Sequence, residues 1–146
     1  MNRVAKFFAL SAADRRLLIE AWIVLAAMRV AVHTIALERL YKLASRSRST
    51  GRQDRDHLPS VEAIVRAVDR ASSVVPGGRN CLVRALTAEL MLRRADNESE
   101  LKIGVGKSPH GEFRAHAWVE IAGKVVIGES ESGDYVTLVL PAAARH

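Results

Sequence analysis

Cys81 is the only cysteine in the chain, and it opens an apolar helical pattern just after the turn sequence Pro76-Gly77-Gly78. A lone thiol forms neither an internal disulfide nor a multi-cysteine zinc site, which leaves core filler or nucleophile as its roles. Unpaired cysteine is often buried filler. At a helix start, however, free N–H groups and the helix dipole favour the anionic thiolate, the reactive form. His116 follows 35 positions later in the strand-like stretch Arg114-Ala-His-Ala-Trp-Val-Glu-Ile121. Alone it reads as a core histidine, but Trp118 and Glu120 fall on the same strand face and imply a partly polar cleft. Cysteine and histidine together make half of an acyl-transfer site.

The third member is sought by strand pairing. If Ile121-Ala-Gly-Lys124 is a tight turn, paired positions sum to 245, so Glu120 faces Val125, Trp118 faces Ile127 and His116 faces Glu129. Directly opposed side chains have Cβ atoms roughly 4.5–5.5 Å apart. The Glu129 carboxylate is then expected to hold one imidazole nitrogen while the other addresses Cys81, as in a catalytic triad. A one-residue change of register sends Glu129 to the other face. Asp134 and Glu131 are the fallback orienters.

These residues carry a family resemblance. Asn80-Cys-Leu-Val-Arg-Ala-Leu86, Leu92-Arg-Arg94, Leu101-Lys-Ile-Gly-Val105, Phe113-Arg-Ala-His-Ala-Trp-Val-Glu120 and Gly123 resemble the transglutaminase-like leader peptidases of lasso-peptide biosynthesis, the group typified by the microcin-processing protein. The likeness spans most of Ser60 to Leu140, with a less specific echo at Phe8, Asp14, Arg15, Ala21, Leu25 and Arg29. It implies a papain-like or transglutaminase-like core with Cys81 as nucleophile and His116 as base. It also implies an aspartate on the next strand, near Glu129. The chain departs from that pattern, since no aspartate lies between His116 and Asp134. The resemblance further implies a lasso precursor peptide as substrate, a separate leader-recognition protein and a lasso cyclase as partners. ATP dependence is described for some relatives.

With 146 residues and 49% hydrophobic residues, the chain has the material for one domain, 1–146, with a buried core. Its net charge of +6 is uneven: residues 1–57 hold 11 Lys/Arg against 5 Asp/Glu, and residues 58–146 hold 11 against 11. A basic helical N-terminal segment and loop thus precedes a formally neutral catalytic half. Such a basic face attracts acidic peptides, acidic proteins, anionic lipid or nucleic acid, or is simply solvated. The start Met1 to Lys6 leads into only four apolar residues with no cleavage site, so no signal peptide is expected. A cytoplasmic location is expected, and it suits a reduced thiol. Ala21 to Met28 is eight apolar residues, against about 20 for a bilayer crossing. It reads as a buried helix and not as a transmembrane segment.

Ser11 with Asp14 marks a helix start, after which Leu17, Leu18, Ala21, Leu25, Met28, Val32 and Ile35 recur at helical spacing. Residues 45–57 lack large apolar side chains and predict a loop. Ser60 caps a helix bearing Val61, Ile64, Val65 and Val68, and Cys81 to Arg94 forms another with Leu82, Ala85, Leu86 and Leu90 inward. Asp96 to Glu100 reads as a turn. Strands are predicted over Leu101–Val105, Phe113–Ile121, Lys124–Gly128 and Tyr135–Leu140. Helices first and antiparallel strands last indicate an α+β fold.

Gly104-Val-Gly-Lys-Ser108 imitates the end of a phosphate-binding loop, but Leu101 stands where the pattern needs glycine, and Pro109-His110-Gly111 replaces the helix. No nucleotide cofactor is expected from it. His33, His57, His110, His116 and His146 lack zinc-ligand spacing, so no metal is expected. Nucleic-acid signatures are absent apart from charge. The reading is a cysteine peptidase that removes the leader from a lasso-peptide precursor before macrocyclisation. Two alternatives are an acyltransferase of transglutaminase type on the same cysteine-histidine fold, and a non-enzymatic basic adaptor.

Overall fold

The computed structural model describes residues 2–46, 55–128 and 135–138. Its described residues form an α+β fold: α1 (Arg3–Phe8), α2 (Ala12–Thr34), α3 (Leu37–Arg46), a 3₁₀ turn (Arg55–His57), α4 (Val61–Ser72), α5 (Cys81–Arg94) and then the strands. The helix starts follow from their caps. Ser11 Oγ accepts from the Asp14 N–H at 3.1 Å, and Ser60 Oγ accepts from the Ala63 N–H at 3.1 Å. Of the stretch 45–57 expected to be a loop, Ser45 and Arg46 belong to α3 and Arg55–His57 to the 3₁₀ turn. Residues 47–54 lie outside the described residues.

α2 runs for 23 residues and has an 18-residue window of mean hydropathy 1.6, so by length and composition alone it is apolar enough to cross a membrane. Leu17, Leu18, Ala21, Val24, Leu25 and Met28 are buried, whereas Ile23, Ala26 and Ala27 are exposed. The stretch expected to be wholly buried therefore buries one face only.

α5 is the central element and touches α2, α3, α4 and the sheet. Val83, Ala85, Leu86, Ala88, Met91 and Leu92 are all buried, so the helix has no single apolar stripe. Leu82 and Leu90, expected inward, are half-buried. The helix ends with Asp96 at φ 60, where the Asn97 N–H donates to the Leu92 carbonyl at 3.0 Å and the Asp96 N–H donates to that of Arg93 at 3.1 Å. This Schellman closure reverses the chain, and strand β1 (Ser99–Lys107) begins inside the expected turn.

β1 is followed by β2 (Phe113–Ile121), β3 (Lys124–Ile127) and β4 (Val136–Leu138), in the order β3-β2-β1-β4, all neighbours antiparallel. Leu101 pairs with Val119 and Ile103 with Ala117, and all four are buried against the helices. Alternation puts Lys102, Gly104, His116, Trp118 and Glu120 on the other face.

The β2–β3 hairpin turns at Ala122-Gly123, both at positive φ. The pairs Ile121–Lys124 and Glu120–Val125 obey the sum of 245, but the next is Val119–Ile127, because a bulge adds Val126 to β3. The expected pairing of Trp118 with Ile127 is thus displaced by one residue. The count that set Glu129 opposite His116 stops holding before it reaches either residue.

Candidate active site

Cys81 is the first residue of α5 and is half-buried beside the core. The preceding turn is set tightly on α2: a Cβ at Gly78 would lie 2.9 Å from Leu25 Cδ2 and from the Ser72 carbonyl oxygen. Asn80 caps the helix. Its Oδ1 accepts from the Leu82 N–H at 2.9 Å and from the Val83 N–H at 3.4 Å, while the Arg84 N–H reaches the Asn80 carbonyl at 3.0 Å. Of the first-turn amides, that of Cys81 alone is left without a partner among the described residues. An unspent N–H at a helix start is a donor for an anionic oxygen brought beside it.

His116 sits midway along β2, half-buried, opposite Gly104 of β1. Its Nε2 lies 2.5 Å from the Gly128 carbonyl oxygen. A carbonyl only accepts, so Nε2 carries the hydrogen and, in the neutral ring, Nδ1 presents its lone pair. Gly128 reaches this place through a φ of +86, where a Cβ would stand 2.7 Å from the Ala117 carbonyl oxygen and 2.9 Å from Trp118 Cα. Only glycine fits so close an approach of two backbones.

The imidazole is flanked by aromatic rings. Trp118 stacks beside it at 5.9 Å between centroids, and Tyr135 lies on it at 5.4 Å, tilted by 33°. Gly104 makes room for this group, since a Cβ there would meet the Trp118 ring at 2.9 Å and Tyr135 Cβ at 3.0 Å. The indole N–H donates to Glu120 Oε1 at 2.8 Å, and Lys102 Nζ pairs with Glu120 Oε2 at 2.9 Å. The hydrogen bond from Lys102, with that from Trp118, holds the Glu120 carboxyl below its ordinary range. Lys102 is raised in turn by its hydrogen bond to Glu120. Glu120 is therefore tied both to a lysine and to the tryptophan.

The two principal residues thus stand on α5 and β2, which are in contact. Among the described residues no hydrogen bond joins the Cys81 thiol to His116, whose strand neighbours Ala117 and Val119 face the helices from the other side. Glu129, Glu131 and Asp134 lie outside the described residues. Sequence reasoning missed Asn80, Gly104, Gly128 and Tyr135. The signals that could have found the first and third are an asparagine directly before a helix and a glycine ending a strand. No group of His, Cys, Asp and Glu able to hold a metal occurs among the described residues.

The described residues thus place a cysteine at the start of a central helix and an oriented histidine on the antiparallel sheet packed against that helix. The transglutaminase-like superfamily profile matches residues 23–140, and the chain belongs to that superfamily. Its members are generally cysteine peptidases and transferases. No curated protein and no solved structure matches the chain.

Proposed function

We propose that the protein is a cysteine peptidase that cleaves the leader from a lasso-peptide precursor before ring closure. The observation that carries the chemistry is Cys81 at the first position of α5 with its own N–H unspent. Support for the substrate is the resemblance of the segments around Cys81 and His116 to lasso leader peptidases. His116 Nδ1 takes the thiol proton, and sulfur attacks the scissile carbonyl carbon. The oxyanion accepts from the Cys81 N–H. The imidazolium then protonates the leaving amine as the C–N bond breaks, freeing the core peptide. Water attacks the thioester, giving one proton to Nδ1; that proton returns to sulfur as the C–S bond breaks, and the leader leaves as a carboxylic acid that ionises into solvent. Nε2–H stays on the Gly128 carbonyl throughout, so ring orientation is constant. Glu129, or Asp134 in its place, would supply negative charge near the imidazolium. The chain works in this reading with a separate leader-recognition protein and a cyclase, in the cytoplasm, without a metal or cofactor of its own.

Superfamily membership also admits transfer of the acyl group to an amine instead of water. Mass spectrometry of a precursor incubated with the protein and its leader-binding partner separates the readings. Wild-type protein should release free leader and core, and Cys81→Ala should release neither while keeping its thermal transition. An amide adduct formed with added amine at the expense of hydrolysis would give transfer. Wild-type rates from Cys81→Ala would end both.

A further inference from the structure

α2 and α1 present an apolar surface that none of the described residues covers. Ile19, Ile23, Ala26, Ala27 and Val30 are exposed on α2, opposite the face that enters the core, and Ile23 and Val30 are 65% and 63% exposed. At 3.6 residues per turn the five fall within about 100° of arc, a continuous stripe. α1 is held against α2 by Phe7, which stacks on Trp22 at 5.6 Å, and it leaves Val4 and Phe8 outward at 59% and 66% exposure. Contiguous apolar surface of this kind marks an interaction site.

Charge identifies the partner. Residues 2–46 carry eight Lys/Arg (3, 6, 15, 16, 29, 39, 42, 46) against three acids (14, 20, 38). Each acid is already engaged: Asp14 accepts from Ser11 Oγ at 2.8 Å, Glu20 faces Arg94 at 3.8 Å and Glu38 holds Lys42 at 2.6 Å. Arg3, Lys6, Arg15 and Arg16, on α1 and the first turn and a half of α2, make no ion pair among the described residues.

We propose that this face docks on an anionic lipid bilayer, with the α2 stripe and Phe8 at the boundary of headgroups and acyl chains and the four basic residues among lipid phosphates. α2 lies flat in this arrangement. Crossing the bilayer would pull Leu17, Leu18, Ala21, Val24, Leu25 and Met28 out of the core they share with α4 and α5. A second copy of the chain is disfavoured by charge. The far end of α2 carries Arg29 and His33, so neither orientation of a two-fold pair offers these cations an anionic counterpart.

Flotation of the full chain with phosphatidylcholine vesicles, with or without one quarter phosphatidylglycerol, tests the surface without any substrate and so stands apart from the peptidase reading. The expected result is binding to the anionic vesicles at low salt, at least tenfold weaker on neutral vesicles or in high salt, where exposed charges are screened. Ile23→Asp with Val30→Asp should lower binding at least tenfold with an unchanged circular-dichroism melt. Should that pair impair folding, Arg15→Glu with Arg16→Glu carries the same expectation. Folded wild-type protein that ignores anionic vesicles, or charge-reversed protein that binds as well as wild type, overturns the proposal. So does a lipid-free dimer in sedimentation that the Ile23 and Val30 substitutions disperse, which would give the face to a second copy.

Discussion

The Gly128 carbonyl fixes which nitrogen of His116 holds the hydrogen, a task that triad chemistry ordinarily gives to a carboxylate. Gly128→Ala should therefore damage catalysis at a distance from the thiol. A non-glycine residue at φ +86 costs about 1–2 kcal/mol, and its Cβ would press on the Ala117 carbonyl at 2.7 Å. The expected outcome is a lower melting temperature and a turnover rate at least tenfold below wild type with KM little changed, since the ring loses its anchor and substrate contacts stay. Glu129→Gln should alter turnover only a few-fold, because tautomer choice rests on backbone. A loss of orders of magnitude from Glu129→Gln would return the orienting role to the carboxylate. The helix start at Cys81 and the strand placement of His116 were legible in the sequence, because an apolar run after a turn and strand alternation are local patterns. Gly128, Gly104 and Tyr135 were not, because each acts through a neighbour that only the folded sheet supplies.

Among the elements, α5 carries the most polar strain. Glu89 is fully buried inside it; Oε1 accepts from Arg93 Nε at 3.0 Å, while Oε2 is without a partner. Arg93 also donates to the Ser99 carbonyl, joining α5 to the first residue of β1. Burial pushes the Glu89 carboxyl above its ordinary value of 4.5, against the opposing pull of Arg93. A carboxyl raised in the folded state favours folding at low pH, and that contribution is lost as pH rises from the unfolded value through the higher folded one. Arg93→Met removes the cation and leaves a buried carboxylate, which costs about 3–5 kcal/mol at neutral pH. Chemical denaturation of this variant should show the deficit shrinking as pH falls toward the acid range, where Glu89 takes up a proton. A deficit independent of pH would mean that Arg93 acts through its backbone contact alone. The helix caps at Ser11 and Ser60 and the Ala122-Gly123 turn were plain in the sequence because each is local chemistry. The bulge in β3 was not, since Lys-Val-Val-Ile alternates no better in one register than in the other, and a single extra residue re-aims everything beyond it.

At the scale of the whole molecule, the proposed catalytic residues lie in the second half of the chain but the core does not divide there. Leu17, Leu18, Val24, Leu25, Met28 and Leu40 are buried in the same cluster as Leu86, Leu92 and Val119. The superfamily match likewise begins at residue 23, inside α2. Each large apolar side chain contributes about 1.5–3 kcal/mol when buried, so these six contribute roughly 9–18 kcal/mol as an upper bound. That is comparable to the total stability of roughly 5–15 kcal/mol typical of a domain. A chain beginning at residue 58 should therefore fail to fold, although it keeps Cys81, His116 and every described strand. Its far-UV circular dichroism should show no cooperative melt, whereas the full chain should unfold in one transition seen alike by circular dichroism and tryptophan fluorescence. Trp22 and Trp118 report from α2 and from the sheet, so the fluorescence samples both halves. Two separate transitions in the full chain, or a cooperative melt of the shortened one, would show the basic N-terminal helices to be an appendage. In that event α5 would have to cover its α2 and α3 faces in some other way to hold Cys81 at the start of the helix.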